Sequence, residues 1–100
     1  MNVYEALADP HRRRIIELVG ERERTAGAIV EALGISQPGA SQHLKALRDA
    51  GLVAVRKDAQ RRVYRLRPEK LAEVDAWLAP YRRFWINRID ALVDHIMGEQ

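Results

Sequence analysis

Residues 35–53, ISQPGASQHLKALRDAGLV, hold a helix start, an amphipathic helix, a helix stop and a strand entry in immediate succession. Ser36 offers a side-chain oxygen to the free amides of a first turn. Pro38 is harmless there because those amides lack intrahelical partners. Ala40, Leu44 and Leu47 recur at helical spacing and define an inward stripe. The opposite face carries Gln37, Ser41, Gln42 and Lys45, uncharged hydrogen-bonding groups plus one cation. That mix suits base edges and phosphates, as in a recognition helix. Gly51 can take the left-handed conformation that ends a helix, and Leu52-Val53 returns the chain to apolar structure.

A second helix precedes this one. Thr25 caps it, Ile29, Val30 and Leu33 face inward, and Gly34 makes the tight turn into Ile35-Ser36, so the pair reads as a helix-turn-helix. Further upstream, Val3, Tyr4 and Leu7 lie at helical spacing, and Asp9-Pro10 starts another helix. Its buried face is Ile15, Ile16, Leu18 and Val19, with Gly20 as its stop and residues 21–24 as a charged connector. Downstream, Val53 and Val55 alternate with polar residues, as do Tyr64 and Leu66 beyond a tip at Asp58-Ala59-Gln60. This predicts a two-stranded hairpin. Pro68 opens a last helix, about 69–97, striped by Leu71, Val74, Leu78, Tyr81, Trp85, Leu92 and Ile96. Pro80 predicts either a kink near Ala76 or two helices meeting at Ala79-Pro80. The expected fold class is mainly α with a small β-hairpin wing, one winged helix-turn-helix domain over residues 1–100.

A chain of 100 residues can bury only about 60–70% of its unfolded surface, so burial against a partner would help it. Its net charge of +3, with 14 acidic residues, matters only where the basic groups are concentrated. Residues 56–67 concentrate them: Arg56, Lys57, Arg61, Arg62, Arg65 and Arg67 stand against Asp58 alone. Such a hairpin behind a recognition helix is a wing whose tip, Arg61 and Arg62, reaches phosphates or the minor groove. The plainer alternative is a solvated charged face. Arg12, Arg13 and Arg14 form a second basic cluster at a helix start, where cations oppose the helix dipole. Their plain reading is an exposed face whose aliphatic stems cover apolar neighbours.

Trp77, Tyr81 and Trp85 follow one another at i,i+4 with Phe84 beside them, an aromatic seam. It reads as a dimer interface packed on Val3, Tyr4 and Leu7 of either subunit, or as an apolar pocket for a small-molecule inducer. Cysteine is absent, which excludes disulfides, thiolate metal ligands and thiol nucleophiles. No apolar run approaches a membrane span and no signal core opens the chain, so a cytoplasmic protein is expected. Three scattered histidines, with no glycine-rich phosphate loop or paired acid-base motif, give no catalytic constellation and call for no cofactor.

Three groups of residues then carry a resemblance: ALADPHRRRI at 6–15; Ser36-Gln37-Pro38 with SQHLK at 41–45 and AGLV at 50–53; and RRVYRL at 61–66. In this order and spacing they resemble the ArsR/SmtB family of winged helix-turn-helix repressors, from about Val3 to the last helix. The resemblance implies a homodimer in which the first and last helices pair, recognition helices in successive major grooves, and an inducer that changes operator affinity. By position, Gln37, Pro38, Ser41 and Gln42 match base-contacting residues, while His43 and Lys45 match backbone or support positions. Gly39 replaces a larger family residue, and Ala28 replaces an acidic one, so Thr25 has no capping box.

Relatives that sense metals through cysteine do so in the segment matching residues 23–28, ERTAGA here, which offers no thiolate. A zinc site of the kind built between C-terminal helices would have Asp90, Asp94, His95 and Glu99, and one histidine supplies too little nitrogen character. No metal site is therefore expected. The chain is expected to be a sequence-specific transcriptional regulator, a homodimeric repressor on an inverted repeat of double-stranded DNA. The alternative is a winged-helix interaction module whose basic hairpin meets an acidic protein. The uncharged polar face of Gln37, Ser41 and Gln42 lacks the aromatic or aliphatic anchors such an interface favours.

Overall fold

Four side-chain caps set the helix starts. Asn2 Oδ1 accepts from the Glu5 amide at 2.8 Å, and Asp9 Oδ1 accepts from His11 at 2.8 Å and Arg12 at 3.2 Å. Thr25 Oγ1 accepts from Ala28 at 3.2 Å and Ser36 Oγ from Gly39 at 3.1 Å. These caps open α1 (Val3–Leu7), α2 (Pro10–Glu21), α3 (Ala26–Leu33) and α4 (Gln37–Asp49). Three short strands, β1 (Arg24–Thr25), β2 (Val53–Asp58) and β3 (Arg61–Leu66), and a long α5 (Glu69–Gly98) complete the chain. The structure is a computed structural model and describes residues 1–98. Gly39 matters to the α4 cap, because a Cβ there would lie 3.1 Å from Ser36 Oγ.

Two expectations about the α2 end are corrected. The helix runs through Gly20 to Glu21 and ends at Arg22, whose backbone is extended; the Leu18 carbonyl accepts from the Arg22 amide and from Arg24 Nε, the latter at 3.1 Å. Residues 21–24 are also not wholly a connector: Arg24 pairs with Tyr64 and Thr25 with Val63, so the hairpin gains a third antiparallel strand in the order β1-β3-β2. A two-residue strand is too short to show alternation, which is why the pattern concealed it.

The core lies where α2, α3 and α4 meet one face of this sheet, and Ile15, Ile29, Leu47, Leu52 and Val53 are its fully buried members. The inward stripe Ala40, Leu44 and Leu47 is buried as its spacing predicts. Gly51, at φ 77°, ends α4, and Gly34, at φ 66°, makes the turn before it. Both need the left-handed region that glycine enters freely.

The last helix is continuous through Pro80 and does not divide in two. Arg82 bridges the turns around the proline, donating to the Asp75 carbonyl at 3.2 Å and pairing with its carboxylate. Leu71 and Val74 are half-buried against the core, but Tyr81, Trp85, Leu92 and Ile96 are exposed, so only the first part of the stripe is used within the protomer. The molecule measures 64 × 25 × 21 Å with a radius of gyration of 18.3 Å. A compact chain of this length has about 13 Å, and the excess is the projecting α5.

Candidate nucleic-acid interface

The turn at Gly34 and the Ser36 cap present α4 with its polar face outward. Gln37, Pro38, Ser41, Gln42 and Lys45 are all exposed. A concave groove of about 360 Å³ runs between α4 and the wing, and Gln37, Ser41, Lys45, Arg48 and Arg62 all line it. A neighbouring hollow brings Gln60, Arg61 and Arg62 beside Gln37 and the start of α3. The fold therefore joins two regions far apart in sequence, the α4 face and the wing tip, into one surface.

Register decides which wing cations face this groove. Tyr64 lines it with Leu44, and Arg62 stands two residues earlier on the same face of β3. Lys57 pairs directly with Arg62 across the hairpin. Two like charges directly opposite destabilise a sheet. Neither cation has a carboxylate within ion-pair distance among the described residues, whereas Arg56 meets Glu23 at 2.7 Å and Arg61 meets Asp58 at 3.8 Å. Lys45 is tied to Asp49 at 3.0 Å, and that contact holds the Asp49 carboxyl below the ordinary carboxylate value.

Arg48, which lines the groove, was not among the residues singled out from sequence, and Lys57 was named only as part of the basic hairpin. Arg48 follows Ser41 by seven residues and Lys45 by three, so helical spacing could have found it. Lys57 requires the hairpin register, which follows once the two-residue turn Ala59-Gln60 is known.

His43 stands apart from the other candidates. It is half-buried against the start of α2, its ring centroid 5.6 Å from that of His11 and its Nε2 4.0 Å from Asp9 Oδ1. Arg12 Nη1 lies 3.4 Å from its Nδ1. Burial of Asp9 would raise its pKa, but amide hydrogen bonds from Arg12 and His11 and the nearby His43 and Arg12 hold it below the ordinary value.

The aromatic seam is only partly an exposed face. Val3 is buried in the protomer core and Leu7 half-buried against it. Tyr4, Trp77, Tyr81, Phe84 and Trp85 are exposed. Tyr4 meets Trp77 edge-on at 6.2 Å, and Trp77 lies 5.3 Å from Tyr81. The hollow at Pro80 is lined also by Ala76, Ala79 and Arg83, and by none of these rings. Among the described residues no group of three or more His, Asp or Glu side chains could hold a metal ion, and Glu99 lies outside those residues. No described helix is long and apolar enough to cross a membrane.

A helix-turn-helix domain family matches residues 7–56, which span α2 to the middle of β2. An HTH-type transcriptional regulator of Mycobacterium tuberculosis is 38% identical over 96% of this chain and 87% of its own. The chain belongs to the ArsR family of winged helix-turn-helix transcriptional regulators. The transcriptional repressor SdpR of Bacillus subtilis is 35% identical over 77% of this chain and 86% of its own. Among solved structures, the homodimeric winged helix-turn-helix DNA-binding domain of a possible ArsR-family regulator from Mycobacterium bovis superposes with a TM-score of 0.66. It is 34% identical, over 81% of this chain and 75% of that one. The ArsR family is one of regulators, in agreement with the expectation that the chain is not an enzyme.

Proposed function

We propose that the chain is a homodimeric repressor that docks two α4 helices roughly 34 Å apart in successive major grooves of an inverted repeat. Gln37, Ser41 and Gln42 read base edges, Pro38 shapes the first turn that approaches them, and Lys45, Arg48, Lys57, Arg61 and Arg62 hold phosphates. His43 serves as a support beneath the reading face. The observation that carries the reading is the single concave surface shared by the uncharged α4 face and the unpaired Arg62 of the wing. The exposed apolar side of α5, with Tyr4 of α1, pairs with the same face of a second copy, in keeping with the homodimeric relative. A small apolar inducer at this aromatic face would act by altering that pairing. Repression follows from occupancy, since a dimer across an operator blocks what must bind the same DNA.

Fluorescence anisotropy tests this with purified protein, its own upstream DNA and shuffled DNA of equal composition, across a salt series. Tight, sequence-selective binding with a steep salt slope is expected. Weak binding indifferent to sequence would replace the reading with an interaction module for an acidic partner.

A further inference from the structure

We propose that Arg12 is a positioning residue that ties α1 to the recognition helix through neutral His43, and that protonation of His43 releases the tie and weakens DNA binding. Its output rests on the function proposed above. The guanidinium makes three contacts at once. Nε donates to the Ala6 carbonyl at 2.6 Å, Nη2 to the Glu5 carbonyl at 3.0 Å, and Nη1 lies 3.4 Å from His43 Nδ1. Two of these partners are last-turn carbonyls of α1, and the third is a side chain of α4 next to Gln42.

A guanidinium has donors only, so the contact at Nδ1 requires a lone pair there. When Nδ1 bears that lone pair, the proton of the neutral ring sits on Nε2, the nitrogen that faces Asp9 Oδ1 at 4.0 Å. A proton added at Nδ1 turns the acceptor into a donor and sets two cations against each other. The charged or titratable groups facing His43 are Asp9, His11 and Arg12, all at the α2 start, while the α1 side of the tie consists of main-chain carbonyls. The ring lies between the Asp9 carboxylate and the Arg12 guanidinium.

What moves at the other end is α1. Five residues cannot hold a helix alone, and α1 is fixed by burial of Val3 and Ala6 in the core, by Arg12, by Arg13, which donates to Leu7 and Ala8, and by the Tyr4 contact with Trp77 of α5. Beside the shared core, the Arg12 guanidinium is a polar link by which a shift at the α1–α5 aromatic contact reaches α4, and a change at His43 reaches α1 by the same link. The two ends are reciprocal, as any coupling between sites must be.

The test measures operator affinity at fixed ionic strength between about pH 5.5 and 8, together with hydrogen exchange of the α1 amides, on the full chain. The wild type should lose roughly fivefold in affinity toward the acid end, with faster α1 exchange. His43→Gln keeps an acceptor for Arg12 but does not titrate, so both profiles should become flat. His11→Gln should retain the wild-type profile. Arg12→Lys keeps the charge but cannot span three partners, and should give fast α1 exchange and weakened binding without an acid step. A wild-type profile that survives His43→Gln, or that His11→Gln removes, overturns the proposal. If the wild type binds no DNA at any pH, the repressor reading fails, and the tie is judged on exchange. Alpha-1 protection that ignores both pH and His43→Gln then overturns it.

Discussion

Arg12 and Arg13 read in sequence as surface cations, yet both turn back onto the main chain of α1. Arg13 Nη1 donates to the Leu7 carbonyl at 2.8 Å and to Ala8 at 3.1 Å, where a helix C-terminus carries unsatisfied acceptors and negative partial charge. Asp9 works at the opposite helix end, capping α2. Its folded-state pKa is below the ordinary value, so the stability it contributes is complete above that ordinary value and is lost as the pH falls through the depressed one. Asp9→Ala should therefore cost about 1–2 kcal/mol at neutral pH. Asp9→Asn, an equally good cap without titration, should lose less stability than the wild type on acidification below about pH 4, as read from urea midpoints. Equal acid losses in the wild type and Asp9→Asn would remove Asp9 from the acid transition. The capping role of Asp9 is legible because an N-cap is a local pattern. The roles of Arg12, Arg13 and His43 are not, because each depends on where α1 and α4 meet α2.

Among the elements, the three-helix unit and hairpin were legible from periodicity and caps, since Ser36, Gly51 and the stripe Ala40, Leu44 and Leu47 each act within one segment. What sequence left out were pairings: β1 with β3, and Lys57 with Arg62. The second makes a prediction with opposite signs. Lys57→Gln relieves a like-charge pair and should raise the melting temperature by about 1–2 °C, while weakening DNA binding. A loss of both stability and affinity would mean that Lys57 supports the wing structurally. Replacing Arg61 and Arg62 together by Ala should weaken every DNA sequence alike and lower the salt slope by ~0.9 per lost phosphate contact. Gln42→Ala on α4 should instead change which sequence is preferred, as measured by competition against single-base variants of the operator. An unaltered preference would remove Gln42 from the base-reading set.

At the scale of the whole molecule, the long projecting helix has a surface its own protomer cannot use. Trp77, Phe84, Ile89 and Ile96 are 57%, 65%, 60% and 58% exposed, on a helix with no fully buried residue. A water-soluble chain rarely keeps so long an apolar face uncovered. The stripe that begins on the core at Leu71 and Val74 continues past the end of that core, so only another molecule can bury the rest. If that molecule is a second copy, folding and association are linked, and the wild-type melting temperature should rise with protein concentration. Ile89→Asp tests this cleanly, because an exposed position costs the protomer little while a carboxylate in a buried interface costs the dimer much. The variant should sediment as a monomer, melt independently of concentration and keep the helical content of the wild type. Loss of the second recognition helix should lower operator affinity by roughly a hundredfold or more, since one α4 then binds without the effective concentration the other supplies. An Ile89→Asp protein that remains dimeric and binds its operator as before would move the dimer interface off this part of α5.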